Sequence, residues 1–258
     1  MRIGRRAGRT IVAAVACATA LSLVSIEGQT SSASTAAPGQ AQARTQTQTQ
    51  VLNAAQVAGV SKGKAPRKAN KARRGGKVAY LTFDDGPNAR FTPQVLSLLK
   101  QYNAKATFFM IGSSAKANPA LVRRVRAQGH AIGNHTYSHP WLNKLSAAGI
   151  RSQLTRTDAV IGRTTCMRPP GGFVNNTVRK VARSQGKSVV MWSVDTRDWA
   201  RPGAGVVSRN ALRPARNGSI ILTHDGGGPR QQTIAGLRTV LKTMTAQGYR
   251  FEKLPACR

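Results

Sequence analysis

From residue 77 to the end, short apolar runs alternate with segments patterned as helices, and this alternation limits the possible folds more than any other feature. Residues 78–83 form an apolar run that stops at the turn signal Asp84-Asp85-Gly86-Pro87. Residues 93–100 then place Val95, Leu96, Leu98 and Leu99 at helical spacing. A strand is predicted over 106–111, ending at Gly112, and a helix over 119–128 with Leu121, Val122 and Val125 on one face. A strand over 130–133, a helix over 146–161 and a short run before Arg168 come next. Residues 176–185 read as a helix facing inward through Val178, Val181 and Ala182. Residues 188–194 and 219–223 are β-rich, and 249–254 close the series as a last short strand. Such an order builds an α/β domain: a parallel sheet covered by helices, open or closed into a barrel. No internal repeat is present.

The first 76 residues do not share this texture. Arg2, Arg5, Arg6 and Arg9 precede an apolar stretch over 11–24, and small residues occupy 31–37. That order is a secretory signal peptide, assigned to residues 1–36 with cleavage somewhere within 31–38. The apolar stretch is short for a bilayer span and is interrupted by Thr19 and Ser22, so no membrane anchor is expected after cleavage. Residues 37–76 read as a disordered linker, first rich in Ala, Gln and Thr and then in Lys, Arg and Gly. Its basic run, from Lys62 to Arg74, is either a docking segment for anionic cell-wall polymers or a solvated spacer.

Residues 77–258 carry 28 Lys or Arg against 7 Asp or Glu, within a chain whose totals are 40 and 8. A field of that sign attracts polyanions of any kind. Export argues against nucleic acid as the partner and for a secreted, extracellular and wall-associated setting. A monomer is expected. Cys17 would leave with the leader, while Cys166 and Cys257 remain as an even pair in an oxidising compartment, where a disulfide is favoured.

Acids are so scarce that their positions are informative. Asp84, Asp85, Asp195, Asp198 and Asp225 all come just after strand-like runs, as do His135, His139 and His224. In parallel α/β folds the carboxyl ends of the strands form the ligand-binding face. His135 and His139 are four apart, a spacing that brings both imidazoles to one side of a helix turn or a tight loop. Two such histidines and one carboxylate make a catalytic zinc site with an open position. A second, adjacent carboxylate then suits a general base.

With these residues in place the chain resembles a known family, the polysaccharide deacetylases with a NodB-homology domain, carbohydrate esterase family 4. Five segments carry the resemblance, in the family's order, over residues 77–258. They are Thr82-Phe83-Asp84-Asp85-Gly86-Pro87, His135-Thr136-Tyr137-Ser138-His139, Arg168-Pro169-Pro170-Gly171-Gly172, Asp195-Thr196-Arg197-Asp198-Trp199 and Leu222-Thr223-His224.

The resemblance implies a distorted (β/α) barrel with fewer than eight complete units. It implies Zn2+, or a similar divalent cation such as Co2+, held by Asp85, His135 and His139. It makes Asp84 the catalytic base, oriented by Arg168, and His224 the general acid, supported by Asp198. Trp199 and Leu222 would wall the acetyl pocket, and a backbone N–H near Gly171 would help bind the oxyanion. The implied activity is removal of N-acetyl groups from a GlcNAc-containing polysaccharide, peptidoglycan or chitin oligomers. An O-deacetylase such as an acetylxylan esterase and a non-catalytic wall-binding protein are the alternatives. Two departures stand out: Gly171 or its neighbour occupies a position where the family usually has an aromatic residue, and Ala131 one where relatives commonly carry an acid. His130 is read as structural, and Asp158 and Glu252 as members of surface pairs.

Overall fold

The computed structural model describes residues 76–257, so the expected leader and nearly all of the expected linker lie outside the described residues. In chain order the structure runs β1 (Lys77–Asp84), α1 (Thr92–Gln101), β2 (Ala106–Met110), α2 (Gly112–Ala117), α3 (Pro119–Ala127), β3 (Ala131–Asn134), α4 (Ala147–Ile161) and β4 (Cys166–Met167). It continues with α5 (Asn176–Ser184), β5 (Ser188–Val189), β6 (Val194–Asp195), α6 (Ala204–Leu212), β7 (Ser219–His224), α7 (Gln231–Ala246) and β8 (Tyr249–Phe251).

Every pairing among the described residues is parallel, and the strands lie in the order β5-β4-β3-β2-β1-β7-β6. The sheet curls into an incomplete barrel, open between β5 and β6. β1 is the axis of the arrangement. One of its edges pairs with β7 from Ala79 to Asp84. The other is shared: β8 takes Lys77 to Ala79, and β2 takes Leu81 to Asp84. Alternation along β1 sends Ala79, Leu81 and Phe83 into the main core with α1 and α7, and Thr82 and Asp84 to the opposite face.

Side chains cap two helices. The Ser146 hydroxyl accepts from Gly149 N (3.2 Å) at the start of α4, and Asn175 Oδ1 accepts from Val178 N (3.0 Å) at the start of α5. Three helices, α2, α6 and α7, are not predicted by the sequence pattern. α7 buries Ile234, Leu237, Val240, Leu241 and Met244 on one face, but threonines and Gly236 dilute that pattern in the sequence. Gly236 has a packing reason, since a Cβ there would meet Val207 Cγ1 at 2.8 Å, so α6 and α7 approach closely only without one. The β-rich run over 188–194 is two short strands, β5 and β6, on opposite rims of the opening. Cys166 and Cys257 are disulfide-bonded, tying β4 to the last turn across a sequence separation of 91.

Candidate active site

Neighbouring strands end side by side and deliver the polar residues to one rim. In register, Asp84 at the end of β1 lies opposite His224 at the end of β7, and Asn134 at the end of β3 lies opposite Met167 of β4. His135 and Arg168 therefore leave β3 and β4 at the same level.

Arg168 is fully buried, and its guanidinium is used on all sides. Nη1 donates to Asp84 Oδ1 (2.9 Å) and to Thr82 Oγ1 (2.8 Å), Nε to the Val190 carbonyl (3.2 Å) and Nη2 to the Met191 carbonyl (3.1 Å). Its Cζ lies 4.2 Å from the Phe109 ring centroid. A buried cation needs this degree of satisfaction to be tolerated. The consequence for Asp84 is directional: Oδ1 is occupied by Arg168, and Oδ2 is turned to the His135 side, 3.9 Å from Nε2.

Asp85 comes next with φ 69°, a left-handed kink that turns its carboxylate away from the direction of its neighbour's. Its Oδ1 lies 3.4 Å from His135 Nε2 and 3.1 Å from His139 Nε2. The His pair sits in a tight loop, with Thr136 at φ 69° and His139 at φ 61°, so the loop alternative holds rather than a helix turn. Nδ1 of His135 lies 2.8 Å from the Arg168 carbonyl. A carbonyl only accepts, so Nδ1 carries a proton, and Nε2 is the nitrogen turned toward Asp85.

The donor set fits a metal. One oxygen and two nitrogens, all electron-rich, converge within 4.8 Å of one another. Asp85 Oδ1 is buried without a hydrogen-bond partner. Burial opposes its ionisation, yet the two imidazoles outweigh that and hold the Asp85 carboxyl well below the usual carboxylate range. Burial likewise opposes charge on His135, and Asp84 and Asp85 override it, raising the His135 pKa. Both shifts express a demand for positive charge at the point of convergence. One carboxylate and two imidazoles suit a divalent ion of borderline softness.

The acid side of the rim is built around Asp198, which is fully buried. Asp198 Oδ1 lies 2.7 Å from His224 Nδ1, and Oδ2 accepts from His224 N (3.0 Å) and from the Thr233 hydroxyl (2.8 Å). A carboxylate only accepts, so His224 carries its proton on Nδ1, leaving Nε2 as the working nitrogen. Burial disfavours the His224 cation, but Asp198 and the nearby Asp84 and Asp85 prevail and raise its pKa. Asp198 itself is pulled below the usual range by His224 and Thr233 in spite of burial.

Leu222 precedes His224 by two residues on β7, so both side chains share a face, and it is buried. Trp199 stands in a 3-10 turn, Asp198–Ala200, with Arg197 over its ring at 5.3 Å. Gly171 lies in the turn Pro170–Gly172 with φ 62°.

Several residues of the site carry no recognisable signal in the sequence. Asn134, Gln153, Asp158 and Lys187 hold the histidine loop from behind. Asn134 Oδ1 accepts from Thr136 N (2.9 Å), and Gln153 Oε1 from Tyr137 N (2.8 Å) and Ser138 N (3.0 Å). Asp158 accepts from Asn134 Nδ2 (2.8 Å) and pairs with Lys187 Nζ (2.6 Å). The expected surface pair for Asp158 is thereby corrected, because Lys187 is buried. Glu252 does form a surface pair, with Arg250. His130 is structural: its Nδ1 accepts from Ala106 N (3.2 Å), and burial pushes its pKa down to about 4. Asp225 braces the back of the Asp85-Gly86 turn. It accepts a short hydrogen bond from Thr92, and burial raises its pKa to about 7. A Cβ on Gly86 would lie 2.3 Å from Asp225 Oδ1, which explains the glycine. Of the five acids at strand ends, Asp195 also serves the scaffold, accepting from Arg197 N (2.8 Å).

A curled parallel sheet with a carboxylate–imidazole cluster at its carboxyl rim, flanked by an Arg-held carboxylate and an Asp-held histidine, defines a hydrolase-type α/β domain. The family model for polysaccharide deacetylases matches residues 71–190. Over 181 residues the chain is 42% identical to a peptidoglycan-N-acetylglucosamine deacetylase of Bacillus cereus, a match covering 68% of this chain and 85% of the relative. A chitooligosaccharide deacetylase of Sinorhizobium fredii is 38% identical over 206 residues, covering 73% of this chain and 95% of the relative. The crystal structure of the Bc1960 peptidoglycan N-acetylglucosamine deacetylase superposes with a TM-score of 0.66 at 39% identity, over 69% of this chain and 86% of that one. The chain belongs to the polysaccharide deacetylase family, carbohydrate esterase family 4, and has its incomplete α/β barrel.

Proposed function

We propose that the chain is a secreted, metal-dependent deacetylase that hydrolyses N-acetyl groups on a GlcNAc-containing polysaccharide, peptidoglycan or chitin oligomers. One observation carries this reading: Asp85 Oδ1 is buried without a hydrogen-bond partner between two imidazole Nε2 atoms, beside an Asp84 carboxylate that Arg168 holds separately. The names of the relatives supply the substrate class.

A divalent ion held by Asp85, His135 and His139, with Zn2+ or Co2+ as the expected metal, would act as a Lewis acid on the acetyl carbonyl and lower the pKa of an adjacent water. The other steps belong to the chain's own residues. Asp84 takes the proton of the attacking water on Oδ2, since Arg168 occupies Oδ1. The Gly171 N–H supports the carbonyl oxygen as charge builds on it. His224 delivers its Nε2 proton to the departing amine, and Asp198 keeps the imidazolium populated and aligned. Leu222 and Trp199 enclose the acetyl methyl.

Export rests on the leader-like N-terminus, and the Cys166–Cys257 disulfide supports it, because such bonds persist in oxidising compartments. The basic surface suits an anionic wall environment.

The test is to dialyse the protein against a chelator and measure acetate release from peptidoglycan, chitin oligomers and acetylated xylan, with and without Zn2+, identifying products by mass spectrometry. Metal-restored acetate from the GlcNAc polymers is expected. Metal-restored acetate from xylan alone would favour the O-deacetylase, and none from any glycan would favour a wall-binding protein.

A further inference from the structure

Among the described residues, the large hydrophobic side chains left exposed are Trp141, Phe173 and Trp199, at 55%, 40% and 49% of their surface. All three fall in or just beyond segments that carry candidate site residues: two residues after His139, five after Arg168, and immediately after Asp198. Scattered exposed hydrophobics are ordinary, but exposed aromatics gathered on the rim of one site are not. Trp199 is assigned to the acetyl pocket in the proposed function. Trp141 and Phe173 take no part in the acid–base chemistry.

These two rings touch each other, with centroids 4.7 Å apart and planes inclined by 45°, although they come from separate loops, one after β3 and one after β4. Phe173 lies over Gly171: a Cβ at Gly171 would sit 2.8 Å from Phe173 Cε2 and 2.9 Å from Cδ2, and 3.9 Å from Trp141 Nε1. The Phe173 ring therefore fills the direction in which a side chain at position 171 would project. Trp141 Cα cannot be more than about 7 Å from His139 Cα, given two peptide steps, so the pair stands beside the metal-ligand loop.

We infer that Trp141 and Phe173 form a stacking platform for an N-acetylhexosamine ring adjacent to the one being deacetylated, with Phe173 replacing the aromatic wall that Gly171 lacks. The inference rests on the deacetylase reading of the same site. Its chemistry is that of amphipathic rings: a pyranose presents a C–H face to an aromatic π-face and keeps its hydroxyls in water, so two half-exposed aromatics bind it without burying polar groups. The indole N–H of Trp141, near the Gly171 backbone, is available to a sugar oxygen at the platform edge. Contact with a sugar outside the reacting residue is also how an enzyme draws on remote binding energy to favour a polymer over a monomer.

The experiment compares kcat/KM on N-acetylglucosamine oligomers of one to five sugars for the wild type and for Trp141→Ala, Phe173→Ala and Trp141→Phe, with Zn2+ supplied. The wild type should gain efficiency with length. In Trp141→Ala and Phe173→Ala the pentamer-to-monomer ratio should fall about 10-fold, the size of one lost aromatic contact, mostly through KM, and Trp141→Phe should recover most of it. Both residues are surface-exposed, and thermal melts check that the variants are folded. Quenching of tryptophan fluorescence by a chitin oligomer, reduced in Trp141→Ala, is a second expected signal. An active wild type whose length preference survives both alanine substitutions would overturn the platform, as would an active wild type with no length preference. A wild type inactive on every sugar, with or without metal, would instead overturn the deacetylase reading beneath it.

Discussion

Replacing Asp198 by Asn keeps shape and removes charge, and the surrounding donors dictate the outcome. Asp198 Oδ1 faces His224 Nδ1 at 2.7 Å, while Oδ2 accepts from His224 N at 3.0 Å and Thr233 Oγ1 at 2.8 Å. Thr196 Oγ1 is 3.2 Å from Oδ1, but its one proton goes to the Leu222 carbonyl at 2.8 Å. An amide has one oxygen. If it faces Nδ1, the NH2 confronts the His224 backbone N–H, and a buried donor is left unpaired at a cost of about 1–3 kcal/mol. If the amide is reversed, Nδ1 must accept, the tautomer switches and the imidazolium loses its partner. Either way the acid fails more than the fold does. Loss of kcat/KM on an N-acetyl glycan should be about 100- to 1,000-fold, within the range of a general acid's contribution. An activated aryl acetate, whose leaving group needs no proton, should lose far less. The alkaline limb of the pH profile should move to lower pH, because Asp198 is what raises the His224 pKa. Stability obeys the same linkage. The Asp198 contribution is present above the ordinary carboxylate value of 3.8 and is lost on acidification; the His224 contribution is present below 6.5 and is lost as pH rises through its raised pKa. The stability gap between wild type and variant should therefore be widest between those two values. Equal loss on amide and activated ester, with the alkaline limb unmoved, would refute the role of this pair as the proton donor.

His139→Ala removes a half-exposed ligand whose loss the fold tolerates, so the purified protein should lose metal by elemental analysis and metal-dependent acetate release together, with its circular dichroism retained. Reduction of the Cys166–Cys257 bridge, or Cys166→Ala with Cys257→Ala, should lower unfolding free energy by about 4–5 kcal/mol, as loop-closure entropy gives for a separation of 91, read from denaturant midpoints with and without reductant. Asp158→Ala strands the buried Lys187 ammonium with only Thr164 as partner and should cost about 3 kcal/mol; adding Lys187→Met should recover much of it, a non-additivity that an exposed pair would not show.

The fold and the candidate site residues are legible in the sequence for different reasons. β1, α1, α3, α4 and α5 carry apolar residues at strand or helix spacing, so their local pattern agrees with their tertiary use. α7 does not: its inward face is clear only once α6 lies against Gly236, and its threonines weaken the helix signal before that contact exists. The acids and histidines stand out because the domain holds so few. The residues behind them stay hidden. Asn134, Gln153, Asp158 and Lys187 are ordinary polar residues in sequence, and their purpose appears only when α4 and the start of β5 converge behind the histidine loop. Asp225 is the converse, an acid in a suggestive place that braces a turn.

Asp84 and Asp85 are chemically identical neighbours with different proposed tasks, and the backbone separates them. Asp84 is the last residue of β1, in register with His224 on one side and Phe109 on the other, so its side chain obeys strand alternation and joins Thr82 on the face where Arg168 lies. Asp85 has left the ladder with φ 69°, and only that turn brings its carboxylate to the two imidazoles. The turn is fixed from the far side: a Cβ on Gly226 would lie 2.1 Å from the Asp85 carbonyl oxygen, and one on Gly227 2.3 Å from Asp85 Oδ2. Two backbones with no room for a side chain thus hold a strained residue in place. The proposed division between base and ligand is set less by the two carboxylates than by the glycines after His224. A methyl group at Gly226 should therefore damage metal binding, read by elemental analysis of the purified Gly226→Ala variant, before it damages the Arg168–Asp84 pair.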